Sequence, residues 1–286
     1  MIKIILGTAT FGSSYGVANK GMKLGKEEAG EIVAIAQSLG INDFDTAPNY
    51  AGAEAQLGEF LDQSSRPKIS SKISKEHSIS AKLMLASVKE TLLRTRVGKL
   101  ENLYLHDPDA LSGKGSSETI AGLKEIIELG LADHVGVSVY SLHALMRAKE
   151  AFSELTVFQV PENICDRRLL KSTELVNLQS QGDQLIIRSI FLQGLLLMSP
   201  AEFSLKFKGA KGSVSQLNAL ANTCGVSPLD LCLAYGRSIP WASGIILGAA
   251  NASQLRQAFE SKVKLPTDWE SLIDTLAPEL LDPRQW

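Results

Sequence analysis

Four polar side chains in the first part of the chain have types that suit acid–base chemistry: Asp45, Tyr50, Lys72 and His106. Three of them, Asp45, Lys72 and His106, stand at the ends of short apolar runs with strand character, and Tyr50 comes one short turn after Asp45. A phenol is a weak proton donor at neutral pH, but a lysine ammonium beside it stabilises the phenolate form. A carboxylate can hold that lysine, and an imidazole can orient a carbonyl oxygen. The set therefore suits delivery of a proton to an oxygen that becomes an alcohol.

Proton delivery of this kind needs a source of electrons. No protein side chain donates hydride, so the chemistry implies a nicotinamide cofactor. Two other reactions remain open for the same residues. Lys72 suits the nucleophile of a Schiff-base aldolase, because a desolvated lysine on a barrel strand is a usual device for that reaction. His106 with Asp107 and Asp109 could instead serve a metal-dependent hydrolase, although the histidines at metal-ligand spacing are too few.

The elements that must position these residues alternate between strand and helix from end to end, with no Pro/Gly/Ser linker between them. Apolar character predicts eight strands, at residues 2–8, 42–46, 68–72, 100–106, 134–138, 157–160, 184–190 and 244–246. Helical periodicity predicts helices at residues 26–39, 54–61, 80–95, 119–129, 142–152, 171–181, 215–224, 228–237 and 253–262. Helix-ending glycines at Gly40, Gly130 and Gly225 support these bounds.

Eight strand–helix units predict an α/β fold, a single-domain (β/α)8 TIM barrel over residues 1–286, in which chemistry belongs at the carboxyl ends of the strands. The chain begins directly on its first strand, so we expect little or no N-terminal hairpin. A doubly wound sheet is the competing topology. It would normally carry a Gly-rich phosphate turn after the first strand, and this strand leads into TATFG rather than GxGxxG.

Composition excludes several other classes. The 286 residues are 44% hydrophobic and 21% charged, as in a globular chain with a large core. The 29 basic and 31 acidic residues give a net charge of −2, which provides no positive field for nucleic acid or an anionic membrane. Three cysteines without a CxxC favour a reducing cytoplasm. We expect a cytoplasmic monomer with no metal, no membrane segment and no nucleic-acid partner.

The segment GINDFDTAPNY, which ends at Tyr50, and the Leu57-Gly58 pair after it closely resemble the signature of the aldo/keto reductase family. The segments ISSK, ending at Lys72, and LYLH, ending at His106, are similar to that family's lysine and histidine strands. This resemblance implies reduction of an aldehyde or ketone by a catalytic tetrad of Asp45, Tyr50, Lys72 and His106. Tyr50 would be the general acid, Lys72 and Asp45 would support it, and His106 would orient the substrate carbonyl.

The second half of the chain resembles the family's NADP(H) site. The cofactor contacts that the resemblance implies are Thr8, Asp45, Ser138, Gln159, Arg188, Ser189, Phe191, Gln193, Gly194, Gly248, Asn251 and Gln254. Many relatives carry an aromatic residue where Arg188 stands, and an asparagine where Val139 or Ala258 stands. Basic residues common just after the glycine of the last strand are absent, and Arg256 is the nearest cation. The resemblance favours NADP(H), and NAD(H) remains possible.

The substrate is less well defined. Phe11 and Tyr15 are candidate lining residues beside Tyr50 and His106, and the loop after His106 and the C-terminal tail are short, which predicts a shallow and open mouth. The segments GTATFG and YGVAN are similar to a bacterial branch of the family often associated with surface-carbohydrate synthesis, which points to sugar-like carbonyl substrates. A cofactor-binding regulatory protein with little turnover is a third alternative.

Overall fold

Eight parallel strands close into a barrel in the computed structural model, which describes residues 2–12, 16–19 and 23–286. The strands are β1 (Lys3–Gly7), β2 (Asp43–Asp45), β3 (Lys68–Ile73), β4 (Leu100–Leu105), β5 (Ala132–Ser138), β6 (Val157–Pro161), β7 (Gln184–Arg188) and β8 (Gly244–Gly248). Each strand pairs with the next in chain order, and β8 pairs with β1. The structure confirms the (β/α)8 barrel and excludes the doubly wound sheet.

Helices surround the barrel: α1 (Lys26–Ser38), α2 (Ala53–Phe60), α3 (Ala81–Thr95), α4 (Ser116–Glu128), α5 (Leu142–Ala151), α6 (Thr173–Ser180), α7 (Lys211–Cys224), α8 (Pro228–Ser238), α9 (Ala252–Glu260) and the short α10 (Trp269–Leu272). All predicted strand ends lie within two residues of the observed ones. The largest error is at α7, which begins four residues early because a 3-10 turn, Leu205–Ala210, runs directly into it. Among the residues that the structure describes, no helix has the length and apolar character needed to cross a bilayer.

The sequence-predicted helix ends at Gly40, Gly130 and Gly225 adopt positive φ angles of 79°, 66° and 67°. Only a residue without a Cβ takes this conformation at little cost, so each glycine ends its helix.

Two separate apolar regions fill the protein. The larger lies between the strands and the helices, and the smaller lies inside the barrel, where Ile5, Tyr104, Val157 and Ile186 pack together. Beside Tyr104, Gly136 lets β5 approach β6: a Cβ there would fall 1.5 Å from the carbonyl oxygen of Val157.

The C-terminal tail crosses the face formed by the carboxyl ends of the strands. Its Leu276 N–H donates to the carbonyl of Cys165 at 2.8 Å, and Trp286 packs edge-on against Phe207 with ring centroids 4.9 Å apart. Arg284 lies over the ring of Tyr140, which follows β5. We call the carboxyl-end face of the barrel its mouth. The tail therefore covers more of this mouth, beside Tyr140 and Cys165, than the short loops led us to expect. This covering was not predicted because the tail has no periodic pattern of apolar residues.

Candidate active site

The carboxyl ends of β2 and β3 place a buried ion pair at the mouth of the barrel. Asp45 is the last residue of β2, and Lys72 is the second-last residue of β3. The Lys72 Nζ donates to Asp45 Oδ1 at 2.7 Å and to the carbonyl oxygen of Thr46 at 2.9 Å. Both charged side chains are almost fully buried, with relative exposures of 4% for Lys72 and 6% for Asp45. Burial favours loss of the lysine charge, but Asp45 and Tyr50 together outweigh this effect and raise the pKa of Lys72 above its ordinary value.

Tyr50 lies in the turn between β2 and α2 and is half-buried. The Lys72 Nζ lies 5.1 Å from the centroid of its ring. A charged ammonium at this distance stabilises negative charge on a phenol oxygen. The structure thus brings Asp45, Lys72 and Tyr50 together, from segments that are separate in the sequence.

His106 directly follows β4 and is exposed at the rim of the same mouth. Partial removal from water, and then the positive charges of Lys72 and Arg188, lower the pKa of its imidazole. The ring is therefore held neutral at physiological pH. A neutral imidazole has one N–H that can donate a hydrogen bond to a carbonyl oxygen.

Asp45 receives a second donor from the opposite side of the barrel. Gln159, on β6, donates from Nε2 to Asp45 Oδ2 at 2.5 Å. Thr8, next to β1, contacts the backbone of Asp45: its N–H and its hydroxyl both donate to the Asp45 carbonyl, at 2.9 and 3.1 Å. Thr8 therefore joins the ends of β1 and β2, and its fully buried side chain faces no open space.

Tyr104 is a mouth residue that the sequence analysis missed. Its phenol is buried beside Lys72 in the β3–β4 register, and burial followed by the charge of Asp45 raises its pKa well above the ordinary value. Tyr104 stands two residues before His106. Because alternate residues of a strand share a face, this spacing was the signal that could have found it.

A buried side-chain oxygen, Oε1 of Gln159, indicates that the residues present could bind a nicotinamide cofactor. The Gln159 Oε1 is buried and accepts no hydrogen bond from any residue that the structure describes. Ser138, the register partner of Gln159 at the end of β5, is buried next to it. A primary amide offers two N–H donors of the kind that Oε1 lacks. These two residues therefore fit the carboxamide of a nicotinamide.

The loop after β7 has an unusual backbone. Ser189, Leu192, Gln193 and Gly194 all have positive φ angles, of 62°, 46°, 53° and 87°. A Cβ on Gly194 would lie 2.6 Å from the Cβ of Ala18, so this loop packs against the segment Val17–Asn19 that follows β1. Phe191 is buried in the core beneath the loop. Strained segments of this kind are concentrated at ligand sites.

The turn after β8 leads into the N-terminus of α9, as in many phosphate sites, but it contains no lysine or arginine. Gly248 is exposed at the end of β8, and Asn251 begins α9 by accepting the Gln254 N–H at 2.8 Å. Gln254 in turn accepts the N–H of Ala250 at 2.7 Å. The N-terminus of α9 favours an anion, but the nearest cation, Arg256, faces Glu260 at 3.5 Å.

The structure contradicts the prediction that Phe11 lines the substrate site. Phe11 is fully buried in the core and bridges to Leu24, so it offers no surface to a ligand. Tyr15 lies outside the described residues.

A comparison with known protein families agrees with the barrel fold and with the residues at its mouth. The family model described as the aldo/keto reductase family matches residues 3–277. This match covers nearly the whole chain, so the protein belongs to the aldo/keto reductase family, as the segment around Tyr50 indicates. Membership supports an oxidoreductase that acts on small carbonyl substrates with a nicotinamide cofactor.

Several characterised proteins are similar along most of their length. A probable voltage-gated potassium channel subunit beta of Arabidopsis thaliana is 26% identical over 283 residues, covering 86% of this chain and 85% of that protein. An L-glyceraldehyde 3-phosphate reductase of Escherichia coli (strain K12) is 26% identical over 265 residues, covering 79% and 76%. An L-galactose dehydrogenase of Arabidopsis thaliana is 26% identical over 281 residues, covering 93% and 84%.

Solved structures share the fold. A thermostable aldo-keto reductase in complex with the inhibitor epalrestat superposes with a TM-score of 0.71 at 23% identity, covering 95% of this chain and 93% of that chain. A glycerol dehydrogenase from Gluconobacter oxydans superposes with a TM-score of 0.70 at 18% identity, covering 94% and 88%. At these identities the likeness shows the fold alone.

Proposed function

We propose that this protein reduces an aldehyde or ketone to an alcohol, with Tyr50 as the general acid. The observation that carries the proposal is the buried Lys72–Asp45 ion pair at 2.7 Å, with the lysine ammonium directed at the Tyr50 ring. A charged, buried pair is costly to maintain. The fold alone does not require an ion pair at this position. Its place beside the half-buried Tyr50 phenol indicates a role in acid–base chemistry.

Each residue of the tetrad has one task in this reaction. Tyr50 gives its proton to the carbonyl oxygen as that oxygen becomes a hydroxyl, and Lys72 stabilises the phenolate that remains. Asp45 keeps Lys72 charged and in place, and the neutral His106 donates its N–H to the carbonyl oxygen. A bound nicotinamide cofactor supplies the hydride. In the reverse direction Tyr50 takes the proton of the alcohol.

The cofactor would lie along the ends of the strands in the second half of the barrel. Ser138 and the unpartnered oxygen of Gln159 would hold the carboxamide. Ser189, Gln193 and Gly194 would follow the cofactor toward the phosphates, Phe191 would support this loop from the core, and Arg188 would lie at its start, between cofactor and substrate. Gly248, Asn251 and Gln254 would hold the adenosine end. We favour NADP(H) on family grounds. NAD(H) is the alternative because the turn after β8 has no cation for a 2′-phosphate.

The substrate class is a polar, sugar-like carbonyl compound. Two relatives named above, an L-glyceraldehyde 3-phosphate reductase and an L-galactose dehydrogenase, support this choice through their names. The proposal keeps the monomeric and cytoplasmic state expected from the sequence.

Two other functions make different demands on the same residues. A Schiff-base aldolase needs Lys72 as a neutral amine, and Asp45 raises the pKa of that amine instead of lowering it. A regulatory protein that binds cofactor with little turnover is favoured by one finding, the similarity to potassium channel beta subunits. Such a regulatory protein would bind the same cofactor as the proposed reductase, and only the rate of carbonyl reduction would distinguish the two.

The first experiment is a fluorescence titration with NADPH and NADH in parallel, followed by a panel of aldehydes, ketones and sugars with the cofactor that binds. We expect micromolar or tighter binding of at least one cofactor and turnover of some carbonyl. Tyr50→Phe should abolish that turnover while leaving cofactor affinity within a few fold. Binding without turnover would support the regulatory function, and full turnover in the Tyr50→Phe protein would remove Tyr50 from the mechanism.

A further inference from the structure

Tyr140 is sandwiched between two guanidinium groups at the edge of the mouth. The Cζ of Arg188 lies 3.9 Å from the ring centroid, and the Cζ of Arg284 lies 3.7 Å from it. Two groups this close to one centroid cannot share a face of the ring, so they lie on opposite faces. Arg188 comes from the end of β7, and Arg284 comes from the C-terminal tail. The stack fixes the plane of both guanidinium groups.

The charges of the two arginines are compensated differently. Arg284 forms a forked ion pair with Asp282, with N–O distances of 2.6 and 2.9 Å. Among residues 2–12, 16–19 and 23–286, Arg188 has only neutral hydrogen-bond partners: its Nη2 donates to the carbonyl of Val139 at 2.8 Å and its Nη1 to the Ser189 hydroxyl at 3.2 Å. Its Nε is buried and has no hydrogen-bond partner in the described structure. Within the described part of the chain, no carboxylate pairs with Arg188.

Three other cations near the mouth are paired with carboxylates. Lys72 pairs with Asp45, Lys75 pairs with Asp107 at 2.9 Å, and Arg147 pairs with Asp109 at 3.0 Å. The charge of Arg188 reaches His106, because it contributes to lowering the pKa of that imidazole. Arg188 therefore leaves one uncompensated positive charge close to the residue that would orient the substrate carbonyl.

We propose that Arg188 binds an anionic group, a carboxylate or a phosphate, on the carbonyl substrate. This inference rests on the proposed function and narrows its substrate class. A guanidinium with spare N–H donors in a fixed plane recognises a carboxylate or phosphate through paired hydrogen bonds. Tyr140 and Arg284 act as positioning residues, because their stack holds the guanidinium in place before the substrate arrives and so reduces the entropy lost on binding.

The test compares matched carbonyl compounds with and without the charge. One pair is glyceraldehyde 3-phosphate and glyceraldehyde, and the other is succinic semialdehyde and its methyl ester. In the wild-type protein, kcat/KM should favour the charged member of at least one pair by about tenfold or more. The pair that shows the larger preference identifies phosphate or carboxylate as the anion.

Variants assign the preference to Arg188. Arg188→Met should bring the ratio of kcat/KM values close to one, and Arg188→Lys should restore part of it because the charge returns without the planar fork. Arg147→Met is the matched control, since it removes an exposed, ion-paired arginine of the same face, and it should keep the wild-type ratio. An unchanged ratio in Arg188→Met would overturn the inference.

A binding experiment separates this inference from the proposed function. Calorimetric titration of the protein, saturated with oxidised cofactor, should show binding of glycerol 3-phosphate or succinate that is lost in Arg188→Met, and no comparable binding of glycerol. Turnover that ignores substrate charge would overturn the inference and leave the reductase function intact. Absence of all turnover would overturn the function, while the titration still tests Arg188. A weaker cofactor Kd in Arg188→Met with an unchanged charge preference would assign Arg188 to the cofactor instead.

Discussion

Gln159 on β6 donates a 2.5 Å hydrogen bond across the barrel to Asp45 on β2, although 114 residues separate them in the chain. The oxygen of the same amide, Oε1, is buried and has no partner among the residues placed by the structure. One side chain thus contacts Asp45 with its nitrogen, and its oxygen is the acceptor proposed above for the nicotinamide carboxamide. Gln159 is therefore expected to couple cofactor binding to the position of Asp45.

Replacing Gln159 by Met tests both contacts, because Met has a similar size and neither donor nor acceptor. We expect a loss of about 1–3 kcal/mol in the free energy of unfolding, since Asp45 loses a donor inside the barrel. We also expect about a tenfold weaker cofactor Kd. Urea unfolding and NADPH titration measure the two effects. A loss of stability with an unchanged Kd would limit Gln159 to a structural role.

The Lys72–Asp45 pair should show strong coupling in a double-mutant cycle. Lys72→Met leaves the Asp45 carboxylate buried without its cation, which we expect to cost about 3–5 kcal/mol. Asp45→Asn combined with Lys72→Met removes both charges and should recover much of that stability, while neither protein turns over substrate. Urea unfolding and carbonyl reduction are the measurements. The proposal requires that the second substitution restores stability without restoring activity. An active Lys72→Met protein would contradict it.

His106 should titrate below the ordinary histidine value. Partial burial and the nearby charges of Lys72 and Arg188 lower its pKa, so the ring gains its proton only at a more acidic pH. The NMR titration of its ring protons, assigned by comparison with His106→Asn, should give a midpoint below 6.5. Arg188→Met should move that midpoint upward, because one of the cations that oppose protonation is gone. A midpoint that does not respond would show that Arg188 is electrostatically remote from the imidazole.

The sequence was sufficient to predict the barrel because strands and helices are encoded by local patterns of apolar residues. Each strand is an apolar run bounded by helix-length periodicity, and the carboxyl ends of parallel strands must meet, so Asp45, Lys72 and His106 could be assigned to one mouth. Phe11 shows the limit of this reasoning. Its position after β1 fits a lining residue and a core residue equally well, and only tertiary packing decides between them.

Contacts between distant segments were beyond the sequence. The stack of Arg284 on Tyr140 joins the tail to the loop after β5, and no pattern in either segment requires it. The bond from Gln159 to Asp45 likewise depends on barrel closure. Both are consequences of the assembled mouth rather than of any local periodicity.

A buried carboxyl group away from the tetrad should make stability depend on pH. Glu162, next to β6, accepts hydrogen bonds from the Tyr235 hydroxyl and from the Leu169 N–H. Burial raises its pKa from 4.5 to about 8. Between these two values the folded protein holds a proton that the unfolded chain has released, so the contribution of Glu162 to the free energy of unfolding is largest below pH 4.5 and is lost as the pH rises toward 8.

Glu162→Gln isolates this contribution, because glutamine has nearly the same shape and no titration. Urea unfolding of both proteins at several pH values between 5 and 8.5 gives the difference in their free energies of unfolding, in which all other titrating groups cancel. We expect the wild-type protein to lose stability relative to Glu162→Gln by roughly 1.4 kcal/mol for each pH unit up to the pKa of Glu162, and to level off above it. A difference that is constant with pH would mean that Glu162 is already ionised in the folded protein, and the hydrogen bond from Tyr235 would then be holding a buried charge.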